Sequence, residues 1–387
     1  MTGETHSPLR SLRILVVANS HDGSDAFAGG FIHLCEVVKR WRNVEIVAMG
    51  PRSARKLVKE ALNPSDFIEV PDFSGPSRAL TWLLRSAVGA VRARRVRSSC
   101  DVAVSLSHFL PDILPAAAFG SNRTIVHLWH LIGSPFKRRG GLVNNLLAYC
   151  NEVVGMNLAL RSAALVVGSH LLAKELGVEG CERTFVTTNG VEHLAPRASE
   201  ERHGALYVGR LHPTKSVEDL IAAWEIVHRT LPEEKIVLVG RGNRDYVDAL
   251  RSLIAEKHLE RAVVVREDVD NEEKGMLLGS AEVFAFPSRE EGWGIAVAEA
   301  MAAGVPCVTY DLPIFQEIFP EGRSIAPIDD VGAFAQRLLE LLTDERLRAK
   351  LAGEAAQLGS TFTWERAAEI ESSAIEYVIG LARSANR

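Results

Sequence analysis

Residues 13–50 read RILVVANSHDGSDAFAGGFIHLCEVVKRWRNVEIVAMG. An unbroken apolar run, RILVVAN, crosses a glycine-containing loop to a helix-period segment, GFIHLCEVVKRW, and the chain returns in a second apolar run, VEIVAMG. Strands that are apolar throughout, joined through helices, mark a parallel sheet covered on both faces. The alternation continues through VAVSLS, TIVHLW, ALVVGS and TFVTTN, and a second set follows as GALYVGRL, KIVLVG, AVVVRE, VFAFPS and PCVTYD. Between the two sets, NGVEHLAPRASEERHG (189–204) is polar, proline-containing and aperiodic, which places the domain junction there. The expected architecture is α/β, with an N-terminal domain over 1–192, a second over 193–363, and a last helix over 364–387 that leaves the second domain after a Thr-Phe-Thr break.

At 387 residues the chain is long enough for two domains with full cores. With 47% hydrophobic and 24% charged residues it has the mix of a soluble enzyme, which excludes disordered and collagen-like classes. Its five cysteines show no Cys-x-x-Cys spacing, so neither a zinc site nor a disulfide framework is indicated, and a reducing cytoplasm is the simplest setting. LRILVVANS turns polar too soon for a signal peptide, and no run reaches the 18 or so apolar residues of a spanning helix. Residues 1–190 hold 22 Lys+Arg against 15 Asp+Glu, a net of +7, whereas residues 191–387 hold 22 against 34, a net of −12. The two halves therefore face different surroundings.

Ligands of open parallel sheets sit beyond the carboxyl ends of the strands, so the loops there carry the search. Arg210 lies at such an end and Lys215 follows just before Ser216, whose spacing to Asp219 is that of a capping box. Two cations beside a helix start can hold a diphosphate. Gly29 and Gly30 close the first loop where a helix should begin, which lets backbone amides approach a phosphate or sugar, and a simple loop-to-helix turn explains them equally well. The pattern is not Gly-x-Gly-x-x-Gly, which disfavours a nicotinamide or flavin cofactor. Gly240-x-Gly242 is weaker still, and Asp268-x-Asp270 reads as a helix cap rather than a metal pair. His130, closing TIVHLWH, is a candidate sugar contact or proton relay, while Ser169 and Asn189 end later strands and can satisfy local backbone.

The stretch REEGWGIAVAEAMAAGVP (289–306) places Glu291 and Glu299 eight residues apart. On a single helix they would differ by about 80° and roughly 12 Å, a poor way to aim two groups at one atom. Gly292 and Gly294 suggest instead a turn, with a helix from Ile295 toward Gly304 and Pro306 as a stop. Such a pair could grip two ends of an elongated ligand, with an anion between them facing the helix's N-terminal amides. A charged surface loop before a core helix is the plainer alternative.

Together these residues resemble the retaining nucleotide-sugar glycosyltransferases of family 4, which have the GT-B fold. The resemblance covers nearly the whole chain and is most specific in EEGWGIAVAEAMAAGVPCV, which is similar in register to that family's Glu-x7-Glu motif. It implies two Rossmann-like doubly wound domains facing across a cleft, with an acceptor site in the first and a nucleotide-sugar site in the second. It further implies that Glu291 binds hydroxyls of the donor sugar, Glu299 the ribose, and Arg210 and Lys215 the diphosphate. Gly29, Gly30, Gly209 and the amides of Gly292, Trp293, Gly294 and Ile295 would complete the cradle, with His130, Glu291, Arg210 and Lys215 as the catalytic set. Departures from the family pattern are Ser216 in place of a glycine, Trp293 in place of a common phenylalanine, and VREDVDN without the glycine where the base docks. The implied reaction is hexosyl transfer with retention, without metal or cofactor and without nucleic acid, onto an acceptor glycan or lipid-linked glycan. A nucleotide-sugar epimerase and a non-catalytic nucleotide-sugar binding protein are the alternatives.

One further segment bears on location. RALTWLLRSAVGAVRARRVR (78–97) combines Leu80, Trp82, Leu83, Leu84, Val88 and Val91 with six arginines and no acid. Such a helix can lie in an anionic membrane interface, and FKRRGG (136–141) could add a basic patch. It can equally pack its apolar stripe on the sheet and leave the arginines in water. The expected location is cytoplasmic, with peripheral attachment to the inner face of the membrane as the further possibility.

Overall fold

A computed structural model describes residues 11–20, 29–73, 78–129, 131, 142–192 and 203–384. The chain divides into two compact units, Met1–Thr188 with Trp364–Arg387, and Asn189–Thr363. The second unit thus begins at Asn189 rather than at 193. The Val191 N–H donates to the carbonyl of Phe362, which ties this segment to the end of the second unit.

The first unit holds a seven-stranded parallel sheet: β1 (Leu12–Val17), β2 (Val44–Pro51), β3 (Asp66–Val70), β4 (Val102–Ser105), β5 (Thr124–Leu128), β6 (Ala164–Val167) and β7 (Thr184–Val186), in the order β3-β2-β1-β4-β5-β6-β7. All four residues of β4 and of β6 and all five of β5 are buried, as strands covered on both faces must be. The order reverses between β1 and β4, so the loops leaving these two strands diverge and open a crevice at their carboxyl ends. Ile14, Val16 and Phe31 share one core with Ala374, Ile375 and Val378 of the terminal helix Trp364–Ser384. Nearer its start, Trp364, Ala367 and Ala368 pack on Val37. Each large apolar side chain so buried contributes about 1.5–3 kcal/mol, and this holds the last helix to the first unit.

The second unit repeats the plan with six strands: β8 (His203–Val208), β9 (Ile236–Val239), β10 (Val263–Arg266), β11 (Ala281–Phe286), β12 (Cys307–Tyr310) and β13 (Arg323–Ala326), in the order β10-β9-β8-β11-β12-β13. Its switch point lies between β8 and β11, which pair with Val283 opposite Ala205 and Phe284 opposite Leu206. The loops carrying Lys215 and Glu291 leave these two neighbouring strands.

The helix Arg78–Arg95 packs only part of the apolar set of its segment, with Val88 against the core and Trp82 beside Phe109. Leu80, Leu83, Leu84 and Val91 are exposed, whereas Arg85 is buried and Ala93 lies in the core. The close approach is made by Gly89, where an added Cβ would stand 2.7 Å from Pro115 of the helix Leu110–Gly120.

Candidate active site

The turn after β8 is built by short local bonds. Tyr207 donates its hydroxyl to the carbonyl of Arg210 at 2.9 Å, and His212 Nδ1 accepts from the Thr214 N–H as the chain enters the single turn Pro213–Lys215. Arg210 is exposed and Lys215 is buried. The loop after β11 is stapled to this turn. The Arg289 N–H donates to the Thr214 carbonyl at 3.2 Å, and the Ser288 hydroxyl donates to the Glu290 carbonyl at 3.1 Å. Arg289 also reaches Asp219 at 2.8 Å and pairs with Asp329. These contacts bring Lys215 Nζ to the Glu291 carboxylate, with the Glu290 carbonyl at 3.4 Å and the Phe286 ring centroid at 5.8 Å.

The turn at 292–294 reads as the spacing requires. Gly294 has φ 105°, in the left-handed region, and a Cβ there would meet Phe315 at 2.7 Å and Phe319 at 2.9 Å, so only glycine fits. The helix Ile295–Ala302 starts directly after it with no side-chain cap, which leaves its first amides for a ligand. The Trp293 side chain is buried edge-on against Phe319 and Phe362, so this residue offers a ligand its backbone only. Glu299, on the helix's second turn, holds Lys274 Nζ at 2.7 Å. Lys274 sits on the helix Asn271–Ser280 and had no motif to mark it.

Two cations bear on the turn. Burial, and then the charges of Arg210 and Lys215, push the His212 imidazole below its ordinary value. Gly209 packs against Tyr207 and Phe286, and Gly240, at φ 157°, lies against the Gly209 carbonyl where a Cβ would collide at 1.7 Å. These two glycines let neighbouring strand ends approach each other.

Ser216 forms no capping box. It is buried at φ 50°, its hydroxyl has no hydrogen-bond partner among the described residues, and Asp219 accepts instead from Arg289 and from the Tyr310 hydroxyl at 2.9 Å. Asp270 caps the helix Asn271–Ser280 by accepting from the Glu273 N–H, and Asp268 pairs with Arg241 at 2.8 Å. Ser169 caps the helix His170–Glu175.

In the first unit a helix does begin at Gly29. A Cβ on Gly30 would stand 2.8 Å from the Trp129 indole nitrogen, so the glycine is required by the protein's own packing. His130 and FKRRGG lie outside the described residues. At the crevice between β1 and β4, the Ser20 N–H and hydroxyl donate to Asp112 at 2.7 and 2.6 Å, and the Ser107 hydroxyl donates to it at 2.6 Å. Burial pushes the Asp112 carboxyl up to about 6, against the lowering effect of these hydroxyls. Asp112 was not anticipated, because a lone acid in FLPDILP carries no spacing signal.

Residues 192–358 match the family described as glycosyl transferases group 1. A phosphatidyl-myo-inositol mannosyltransferase of Mycolicibacterium smegmatis is 31% identical over 168 residues, 42% of each chain. One from Propionibacterium freudenreichii subsp. shermanii is 25% identical over 299 residues, covering 73% of this chain and 72% of the relative. The matched stretch spans less than half the length of the first of these relatives. Among solved structures, Anabaena HepE in complex with UDP and glucose superposes with a TM-score of 0.72 at 18% identity, covering 94% of this chain and 98% of that one. The fold is GT-B, with two Rossmann-like units.

Proposed function

We propose, from a GT-B fold whose residues 192–358 match the glycosyl transferases group 1, that this chain is a retaining hexosyltransferase. It moves a sugar from a nucleotide diphosphate to the hydroxyl of a glycan or lipid-linked glycan. The observation that carries the reading is the meeting of Lys215 with Glu291 beside an uncapped helix start. Arg210, Lys215 and that helix terminus supply positive charge where a diphosphate would leave, and stabilising the leaving group is the largest available lever. In the reaction the anomeric carbon–phosphate oxygen bond breaks, a bond to the acceptor oxygen forms on the same face, and the acceptor proton passes to the departing phosphate oxygen. Glu291 is free to grip sugar hydroxyls once Lys215 turns to the diphosphate, and Glu299 to grip the ribose. His130 is assigned to the sugar contact. Fixed cations do the work of a metal ion here, so activity should survive EDTA.

The named substrates of the relatives make a mannosyl or glucosyl donor and a lipid-linked acceptor the first to try. Exposed Leu80, Leu83, Leu84 and Val91 continue along the same helix into Arg94 and Arg95, an arrangement suited to lying on an anionic inner membrane surface. Among the described residues no helix is long and apolar enough to cross a membrane. Incubation with UDP-, GDP- and ADP-sugars and candidate acceptors tests the reading, with the product's anomeric configuration determined by NMR. A retained glycoside is expected. An inverted product, or an epimerised donor with no glycoside, would overturn it.

A further inference from the structure

Glu371, on the terminal helix Trp364–Ser384, is 2% exposed and takes no part in the chemistry above. Its Oε1 lies 2.5 Å from His33 Nε2 and 3.1 Å from His127 Nε2. His33 is on the helix Gly29–Val38 and His127 on β5, and both are buried. His127 Nδ1 also stands 3.2 Å from the Ser105 carbonyl on β4, so that nitrogen donates, and Nε2 is the one that faces the carboxylate. Both rings bear on Trp129: His33 edge-on at 4.5 Å between centroids and His127 stacked at 6.1 Å. Trp129 in turn fills the space against Gly30. One carboxylate oxygen therefore ties together the end of β5 and the start of the helix Gly29–Val38, where Gly30 lies.

We propose that Glu371 is a positioning residue, a buried clasp through which the terminal helix fixes the end of β5 and the start of the helix Gly29–Val38. This rests on the transferase reading for its consequence in turnover. Burying a carboxylate is costly unless its oxygens are bonded, and two imidazoles from two other elements meet that cost only when all three elements are in place. Among the described residues, the ionisable groups facing Glu371 are His33 and His127. From β4 the neighbour is the Ser105 carbonyl, and on the terminal helix itself the Trp364 ring lies 5.7 Å from His33. Two imidazoles and a carboxylate are also a metal-ligand set, their donor atoms all within 4.8 Å of one another. Ligands about 2.0–2.2 Å from one tetrahedral zinc stand roughly 3.3 Å apart, however, and the His33 to Glu371 spacing of 2.5 Å is that of a hydrogen bond.

Hydrogen exchange on the full chain and on Glu371→Gln tests the clasp directly. Amides of residues 29–34 and 124–129 should exchange about tenfold faster in the variant, with residues 203–363 unchanged. Unchanged exchange at both segments would overturn the proposal. Should Glu371→Gln not fold, His127→Gln keeps the bond to His33 and should loosen 124–129 but not 29–34; equal loosening of both would overturn it. In the transferase assay, Glu371→Gln should lower kcat at least about tenfold through misplacement of the site, while nucleoside diphosphate binding stays within about twofold, because Arg210 and Lys215, the cations proposed to hold the diphosphate, lie in the second unit. Faster exchange with unchanged kcat would overturn the positioning role. A wild-type chain inactive with every donor would instead mark failure of the transferase reading, and the exchange result would still decide the clasp. Zinc alone, added at equimolar concentration, should leave Tm unchanged; stabilisation that Glu371→Gln abolishes would replace the clasp by an ion site.

Discussion

Lys215 and Glu291 form an ion pair although 76 residues separate them in sequence, and each side chain is only 11% exposed. The pair sets these two loop residues apart from exposed loop positions, which are usually substituted at little cost to the fold. Taking away either partner strands the other charge in a poorly hydrated place, at a cost of about 1–3 kcal/mol, less than for a fully buried pair. Lys215→Ala and Glu291→Ala should each abolish transfer and lower stability by that amount, while the double variant loses less than the sum. A double-mutant cycle by chemical denaturation checks this. Strict additivity would mean that the pair contributes no coupling.

Ser216 sits at φ 50° with a buried hydroxyl that has no hydrogen-bond partner among the described residues. The left-handed region costs an ordinary residue roughly 1–2 kcal/mol and glycine little. Ser216→Gly should therefore raise stability by about 1 kcal/mol, seen as a shift in the denaturation midpoint with the slope unchanged, and should leave donor KM unaltered. A destabilised Ser216→Gly chain would show that the hydroxyl has a partner in solution.

Asp112 has a folded-state carboxyl pushed up to about 6 by burial, against about 3.9 in an unfolded chain. A raised carboxyl favours the protonated fold, so its contribution is complete below about pH 4 and is lost as pH rises through 6. The difference amounts to something on the order of 3 kcal/mol. Glu371 runs the other way: burial would raise it, but the charges of His127 and His33 hold it well below the ordinary carboxylate range. Its contribution is present above pH 4.5 and is lost as pH falls below that. Denaturation of the wild type, Asp112→Asn and Glu371→Gln between pH 3 and 8 separates the two. Asp112→Asn should flatten the loss between pH 4 and 7, and Glu371→Gln should flatten the acid limb. Profiles parallel to the wild type would refute both assignments.

The strands that read most plainly from sequence are those buried on both faces, such as β4 and β9, where VAVS and IVLV have no polar position to blur the signal. Those that do not are β3 and β13, DFIEV and RSIA, half-exposed edge strands whose charged residues break the apolar run. The site divides in the same way. Gly294 and the start of the helix at Ile295 follow from local backbone rules, as does the Asp270 cap. Lys274 on Glu299, Arg289 on Asp219 and the Ser20–Asp112–Ser107 cluster are tertiary contacts, set by which strands are neighbours, and no local spacing encodes them. Ser216 is the instructive miss: its spacing to Asp219 fits a cap, but the backbone turns left-handed there and the bond is never made.

The helix Arg78–Arg95 makes the last prediction. Leu80, Leu83, Leu84 and Val91 follow one another at helical spacing, and all face solvent, at 41, 55, 39 and 52% exposure. The buried side of the helix is occupied instead by Arg85, Ser86, Gly89 and Ala93. A helix that turns leucines outward and is followed by exposed Arg94, Arg95 and Arg97 combines apolar insertion with attraction to anionic headgroups. Each nearby cation is worth about 1 kcal/mol on such a surface. Co-sedimentation with vesicles should rise with phosphatidylserine or phosphatidylglycerol content and fall as salt shortens the screening length. Leu83→Ser with Leu84→Ser should weaken binding at every salt concentration, because insertion is lost. Arg94→Glu with Arg95→Glu should weaken it most at low salt, where the electrostatic part is largest. The fold should survive both pairs, since none of the four side chains is buried. Absence of binding to anionic vesicles at low salt would remove the membrane from the reading and favour an acceptor free in solution.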